Sequence, residues 1–221
     1  MEHESPNLTT RVTLTRELGL LKESVSDIGN DCCTLLALST SSFTASSDFL
    51  EKKAKEIYQK VRSESDNLES HCFTILSLQQ PLLKDLRLVV GVLRIAAHLT
   101  RIASYSSRLV NISGIIHDKS SIPADLVSIA ENCNLMLRDV IKAFHSGSTT
   151  MALELVKKDK ENDLLHDSSF QKIIKRMTHE KAELVEIDAQ MLTSVRFLER
   201  TGDTIAAIAK EVYFIYTGQK I

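Results

Sequence analysis

The sequence predicts an all-α protein built from two tandem, pseudo-symmetric three-helix bundles. Three observations carry that expectation. Apolar side chains recur at three-and-four spacing along most of the chain, only 3 Pro and 7 Gly interrupt its 221 residues, and part of the third helix is echoed 99 residues later in the sixth. Leu, Ala, Lys, Glu, Ile and Val make up much of the chain and favour helices over a turn-rich β fold. With 43% hydrophobic residues there is enough apolar material for a substantial core, in one large domain or two small ones packed together.

The first helix is expected from about Thr9 to Leu38, on the apolar stripe Leu14, Leu18, Leu21, Val25, Ile28, Cys32, Leu35 and Leu36. The Ser/Thr-rich stretch Ser39 to Ser47 reads as a loop, with Ser47 capping a second helix whose first turn carries Asp48 and Glu51. That helix continues through Ile57, Val61, Leu68, Cys72, Ile75 and Leu76 until Pro81. Proline has no N–H and disfavours helical geometry in the residue before it, so Gln80 is expected to be extended, within a tight turn over Gln79 to Leu83. The third helix is expected over Lys84 to His117.

Pro123 suits the first turn of a fourth helix that continues from Ala124 to His145, and Gly147 stands where a left-handed C-terminal residue belongs. A fifth helix is expected from Thr149 to His179 and a sixth from Lys181 to Thr217, closed by Gly218. The order is two shorter helices and a long one, given twice, with halves at residues 9–118 and 122–218. Leu99-Thr100-Arg101-Ile102-Ala103-Ser104 and Leu198-Glu199-Arg200-Thr201-Gly202-Asp203 occupy the same place in the third helix of each half, as duplication of one unit would leave them. Each half must bury its amphipathic stripes internally, which predicts an antiparallel bundle with tight turns.

The formal net charge of −2, from 27 basic and 29 acidic residues, gives no general field for nucleic acid or an anionic membrane. Cys32, Cys33, Cys72 and Cys133 form no CxxC pair and lie in apolar stretches, so they read as buried free thiols of a reducing compartment. Met1 to Leu14 lacks the apolar region of a secretory signal, which predicts a cytoplasmic protein. The most apolar stretch, Leu86 to Ile102, is broken by Arg87, Arg94 and Arg101 and is not expected to span a membrane. No phosphate-cradling glycine loop, nucleophile elbow or HExxH helix is present, and Glu69-Ser70-His71 misses the Glu-x-x-His spacing of di-iron bundles, so an enzyme is not expected.

Three segments resemble the PhoU family. Leu78-Gln79-Gln80-Pro81-Leu82-Leu83-Lys84-Asp85-Leu86-Arg87 is similar to its LxxQPxxxDLR turn, Phe197-Leu198-Glu199-Arg200-Thr201-Gly202-Asp203 to its LERIGD segment, and Tyr213-Phe214-Ile215-Tyr216-Thr217-Gly218 to its closing Y-x-x-T-G. The resemblance implies paired three-helix bundles that bind metal clusters through ExxxD or DxxxD motifs. It also implies a regulator, peripheral to the inner membrane through its partners, that acts between the ATPase subunit of a phosphate ABC transporter and a sensor histidine kinase. Three other roles stay open: accessory subunit of a low-affinity, ion-driven phosphate transporter, a metal-binding or metal-storing bundle, and a purely structural helical adaptor. Exposed helix faces suit a homodimer.

Carboxylates four apart on a helix share a face and repel, and a cation removes that penalty. Glu199 with Asp203, and Asp159 with Asp163 on the preceding helix, are the expected metal ligands of the second half, for iron, manganese, magnesium, calcium or zinc. The competing reading makes Asp159 and Asp163 surface acids paired with Lys157, Lys158 or Lys160. In the first half Thr100 and Ser104 replace the acids, Tyr58 and Arg62 stand where the other pair would be, and His98 replaces a residue that is often Asp in the family. No metal is expected there, and His98 reads more readily as a helix histidine than as a ligand. Arg87, Arg94, Arg101 and Arg108 recur every seven residues along one face, as a solvated ladder with salt bridges to neighbouring helices or as a docking strip for an acidic partner.

Overall fold

The computed structural model describes residues 6–45, 48–116, 118–178 and 182–221. Six helices follow one another: α1 (Pro6–Ser42), α2 (Asp48–Gln79), α3 (Lys84–Ile115), α4 (Ala124–Ser146), α5 (Thr149–Met177) and α6 (Ala182–Thr217), with a short 3₁₀ turn at Lys119–Ser121. Helices α1, α2 and α3 pack on one another, as do α4, α5 and α6, and the halves join where α1 meets α4 and α3 meets α6. Among the described residues no helix is long and apolar enough to cross a membrane.

The apolar stripes form the core as their spacing dictates. Leu21, Val25, Leu35, Leu36, Val61, Ile95, Leu99, Ile102, Leu137, Phe144, Leu198 and Ile205 are buried, and each such side chain contributes roughly 1.5–3 kcal/mol of transfer free energy. Internal symmetry extends to individual contacts. The Cys32 thiol donates to the Leu99 carbonyl at 3.4 Å, and the Cys133 thiol donates to the Leu198 carbonyl at 3.7 Å. All four cysteines are free and buried, and burial pushes the Cys133 thiol up to about 12. At both seams backbone replaces side chain: a Cβ on Gly29 would run into Ile141, and one on Gly91 into Ile215.

Four local expectations need correction. Ser39 to Ser42 belong to α1, because their hydroxyls donate to helix carbonyls three or four residues back, as Ser39 Oγ does to Leu36 at 2.7 Å, while Ser39, Ser42 and Phe43 are buried. The first half is therefore not two shorter helices and a long one: α1 has 37 residues and α3 has 32. Gln80 is not held at the negative φ expected before Pro81; its φ is 44° and that of Leu83 is 49°, so two non-glycine residues make the reversal between α2 and α3. Pro123 stands one residue outside α4, extended at φ −60° and ψ 136°. The expected cap at Ser47 and helix ends at His117, His179 and Lys181 lie outside the described residues.

The two glycine ends form as expected. Gly147 is left-handed at φ 72° and terminates α4, and Gly218, at φ 77°, follows α6. Ser148 caps α5, its hydroxyl accepting from the Met151 N–H at 3.3 Å. The Arg176 guanidinium joins three segments, donating to both oxygens of the buried Asp188 and to the Ser121 carbonyl.

Candidate metal centre

Helices α5 and α6 meet along the second half, where Asp159, Asp163 and Asp203 each offer an oxygen within 4.8 Å of the others'. Among the described residues this is the one group of three or more metal-ligating side chains so placed. Asp159 faces inward and is buried, whereas Asp163 and Asp203 are exposed. Gly202 permits the approach, since a Cβ there would lie 2.9 Å from Asp159 Oδ1 and 3.5 Å from Asn162 Nδ2. The glycine beside Asp203 thus clears room for a carboxylate arriving from α5.

Glu199, the fourth expected ligand, lies outside this group and is exposed. The four-residue spacing that gathers Asp159 and Asp163 does not decide the α6 pair; α5 approaches α6 at Gly202, beside Asp203 and three residues past Glu199. Lys157, Lys158 and Lys160 are exposed, and among the described residues none forms an ion pair with Asp159 or Asp163.

Burial, with the charges of Asp163 and Asp203 added, pushes the Asp159 carboxyl up to about 6 against the opposing pull of Lys210. Asp159 Oδ1 is buried without a hydrogen-bond partner. The same condition runs inward along α5, at Asn162 Oδ1, His166 Nδ1 and Ser169 Oγ. Burial holds the His166 imidazole down to about 4 although Asp203 and Asp167 favour its charged form. Each buried polar group left unpaired costs about 1–3 kcal/mol. Clustered carboxylates, mutual repulsion and an orphaned buried oxygen fit a bound di- or trivalent cation, which would satisfy all three.

Asn162 and His166 escaped the sequence reading. Their signal was there: Asp159, Asn162, His166 and Ser169 follow helical periodicity, and Asp163-Leu164-Leu165-His166 sets a carboxylate three residues before an imidazole.

The corresponding region of the first half is a neutral hydrogen-bonded contact. Thr100 Oγ1 donates to Ser65 Oγ at 2.9 Å, Arg62 is exposed, and Tyr58 and Ser104 are half-buried. His98 is half-buried with an unpartnered Nδ1; burial first, then Arg101 and Arg94, lower its pKa against the opposing effect of Glu211. Three arginines of the ladder reach α6. Arg87 Nε donates to the Ile215 carbonyl at 3.4 Å, Arg94 pairs with Glu211 at 3.1 Å, and Arg108 lies over the Phe197 ring at 5.6 Å; Arg101 is exposed. The Tyr216 hydroxyl donates to the Phe144 carbonyl at 2.7 Å, so Arg87 and Tyr216 both lock the end of α6.

Fold and site together define a class: a duplicated three-helix bundle with one carboxylate cluster between the last two helices. The PhoU domain profile matches residues 25–113 and again 126–212, once in each half, and the chain belongs to the PhoU family. It is 26% identical to a phosphate-specific transport system accessory protein PhoU homolog of Borreliella burgdorferi, over 96% of this chain and 98% of that one. A homolog of the same description from Zymomonas mobilis is 28% identical, over 93% and 87%. The crystal structure of the phosphate transport system regulatory protein PhoU from Streptococcus pneumoniae superposes with a TM-score of 0.87 at 19% identity, covering 94% of this chain and 99% of that one. PhoU from Pseudomonas aeruginosa gives a TM-score of 0.77 at 21% identity, covering 96% and 99%.

Proposed function

We propose that this protein is a non-enzymatic accessory regulator of phosphate uptake, working by protein contacts between the ATPase subunit of a phosphate ABC transporter and a sensor histidine kinase. The observation that carries the reading is the PhoU match in both halves, with relatives described as transport-system accessory proteins over nearly their full length. The surface supports a contact-based role: Leu78, Leu82 and Leu83 around the α2–α3 turn are 72%, 75% and 79% exposed, an apolar cluster of the kind that marks protein interfaces. The outer edge of the ladder at Arg94 and Arg101 is a docking strip for an acidic partner face. The protein acts in the cytoplasm as a homodimer and reaches the membrane through its partners.

In this reading Asp159, Asp163 and Asp203 hold a metal ion that removes their repulsion and ties α5 to α6, with Glu199 at the outer edge. The test is a deletion strain complemented with the wild-type gene. Loss of the protein should derepress phosphate uptake in phosphate-replete medium, and the tagged protein should retain the transporter ATPase subunit. Unchanged phosphate control in the deletion strain would sink the proposal.

A further inference from the structure

Below the three aspartates, α5 buries a file of polar side chains: Asn162, His166 and Ser169 are 4%, 3% and 1% exposed. Asn162 Nδ2 donates to the Cys133 thiol at 3.6 Å and lies 3.3 Å from His166 Nε2, which leaves Asn162 Oδ1 and His166 Nδ1 unpartnered. The fold does not require this file. The 101-residue offset relating Cys32 to Cys133 places Val61, Ser65 and Leu68 at the same positions in the first half, and Ser65 there is hydrogen-bonded to Thr100. At these three positions the first half buries one polar side chain, already satisfied by Thr100, whereas the second half buries three, each with an unpartnered atom, under its carboxylate cluster.

His166 follows Asp163 by three residues, so carboxylate and imidazole lie on neighbouring lines of one helix face, the spacing with which helical bundles build metal sites. Asn162 joins the two layers, since its amide lies beside Asp159 over Gly202 on one side and against His166 on the other. We propose that His166 is an inner nitrogen donor to the α5–α6 centre, its ring steadied by Asn162, and that it tunes the centre to a borderline transition-metal dication over Mg²⁺ or Ca²⁺. The inference rests on the metal reading of the aspartates. Oxygen-only sites suit Mg²⁺ and Ca²⁺, whereas an imidazole donor favours Zn²⁺, Fe²⁺ or Co²⁺. His166 stands outside the 4.8 Å circle of the carboxylates; its Nδ1 is unpartnered and its Nε2 lies against the Asn162 amide, so ligation requires those two side chains to shift together toward the ion.

Full-length protein titrated with Co²⁺ tests this. The wild-type complex should show a paramagnetically shifted, exchangeable imidazole N–H proton, and its Co²⁺ should resist competition by millimolar Mg²⁺. His166→Leu should lose that resonance and about 10–100-fold in Co²⁺ affinity while keeping its Mg²⁺ affinity; Asp203→Asn should weaken both ions. The wild-type resonance is read without any variant, so a His166→Leu protein that fails to fold does not remove the test. Co²⁺ binding that Asp203→Asn weakens, with no shifted imidazole proton and no loss in His166→Leu, overturns the inference alone. A wild-type protein that binds no Co²⁺ overturns the metal reading with it.

Discussion

At the residue scale, the geometry ranks the carboxylates. Asp203→Asn alone should abolish or sharply reduce metal in protein purified without chelators, whereas Glu199→Gln should retain it, as elemental analysis would show; the exposed Glu199 lies outside the trio that Asp203 completes. Gly202→Ala separates folding from binding. Alanine gains up to about 1 kcal/mol of helix propensity but drives a methyl group against Asp159 Oδ1, so thermal stability should change little while metal content falls. His98 bears on acid stability. Its folded-state pKa lies below the ordinary 6.5, so its contribution is complete above that value and is lost as the pH falls through the lowered one. His98→Gln should therefore narrow the difference in Tm between pH 7.5 and pH 5.5.

At the element scale, both seams depend on residues that keep helices close. Gly91 brings α3 against Ile215 of α6, and Gly91→Leu should lower stability by about 1–3 kcal/mol, read as a drop in the denaturant midpoint at constant m-value. The Arg176–Asp188 pair is a different kind of lock. Asp188 is 1% exposed, so Arg176→Ala leaves a buried carboxylate without its cation and should cost about 3 kcal/mol or more. Two segments that resembled the family are structural partners here, since Arg87 after the Pro81 turn donates to a carbonyl in the last turn of α6, where intrahelical donors run out.

At the scale of the whole molecule, α1 with α4 and α3 with α6 make the halves one packed body. A single calorimetric transition is expected, with matching calorimetric and van't Hoff enthalpies. The separated segments 9–118 and 122–218 should aggregate, as analytical ultracentrifugation would show, because each exposes two apolar helix faces. Among the described residues the carboxylate group that suits a metal lies in the second half, while the first half has the Thr100–Ser65 hydrogen bond at the equivalent place.

The sequence by itself determined six helices, their duplication, the family and the shared face of Asp159 and Asp163, because periodicity and short motifs are local and survive without knowledge of neighbours. Only the tertiary structure decided that Asp203 joins those two acids while Glu199 does not, and that Arg87, Arg94 and Arg108 turn toward α6. It alone revealed Asn162 and His166 packed beneath the carboxylates. Ser39, Thr40, Ser41 and Ser42 make the same point, since their loop-like composition yielded to helix once burial and hydroxyl–carbonyl bonds favoured it. A periodic pattern tells which side of a helix is apolar; what that side meets depends on chain segments far away in sequence, and on a few ångströms set by residues such as Gly202.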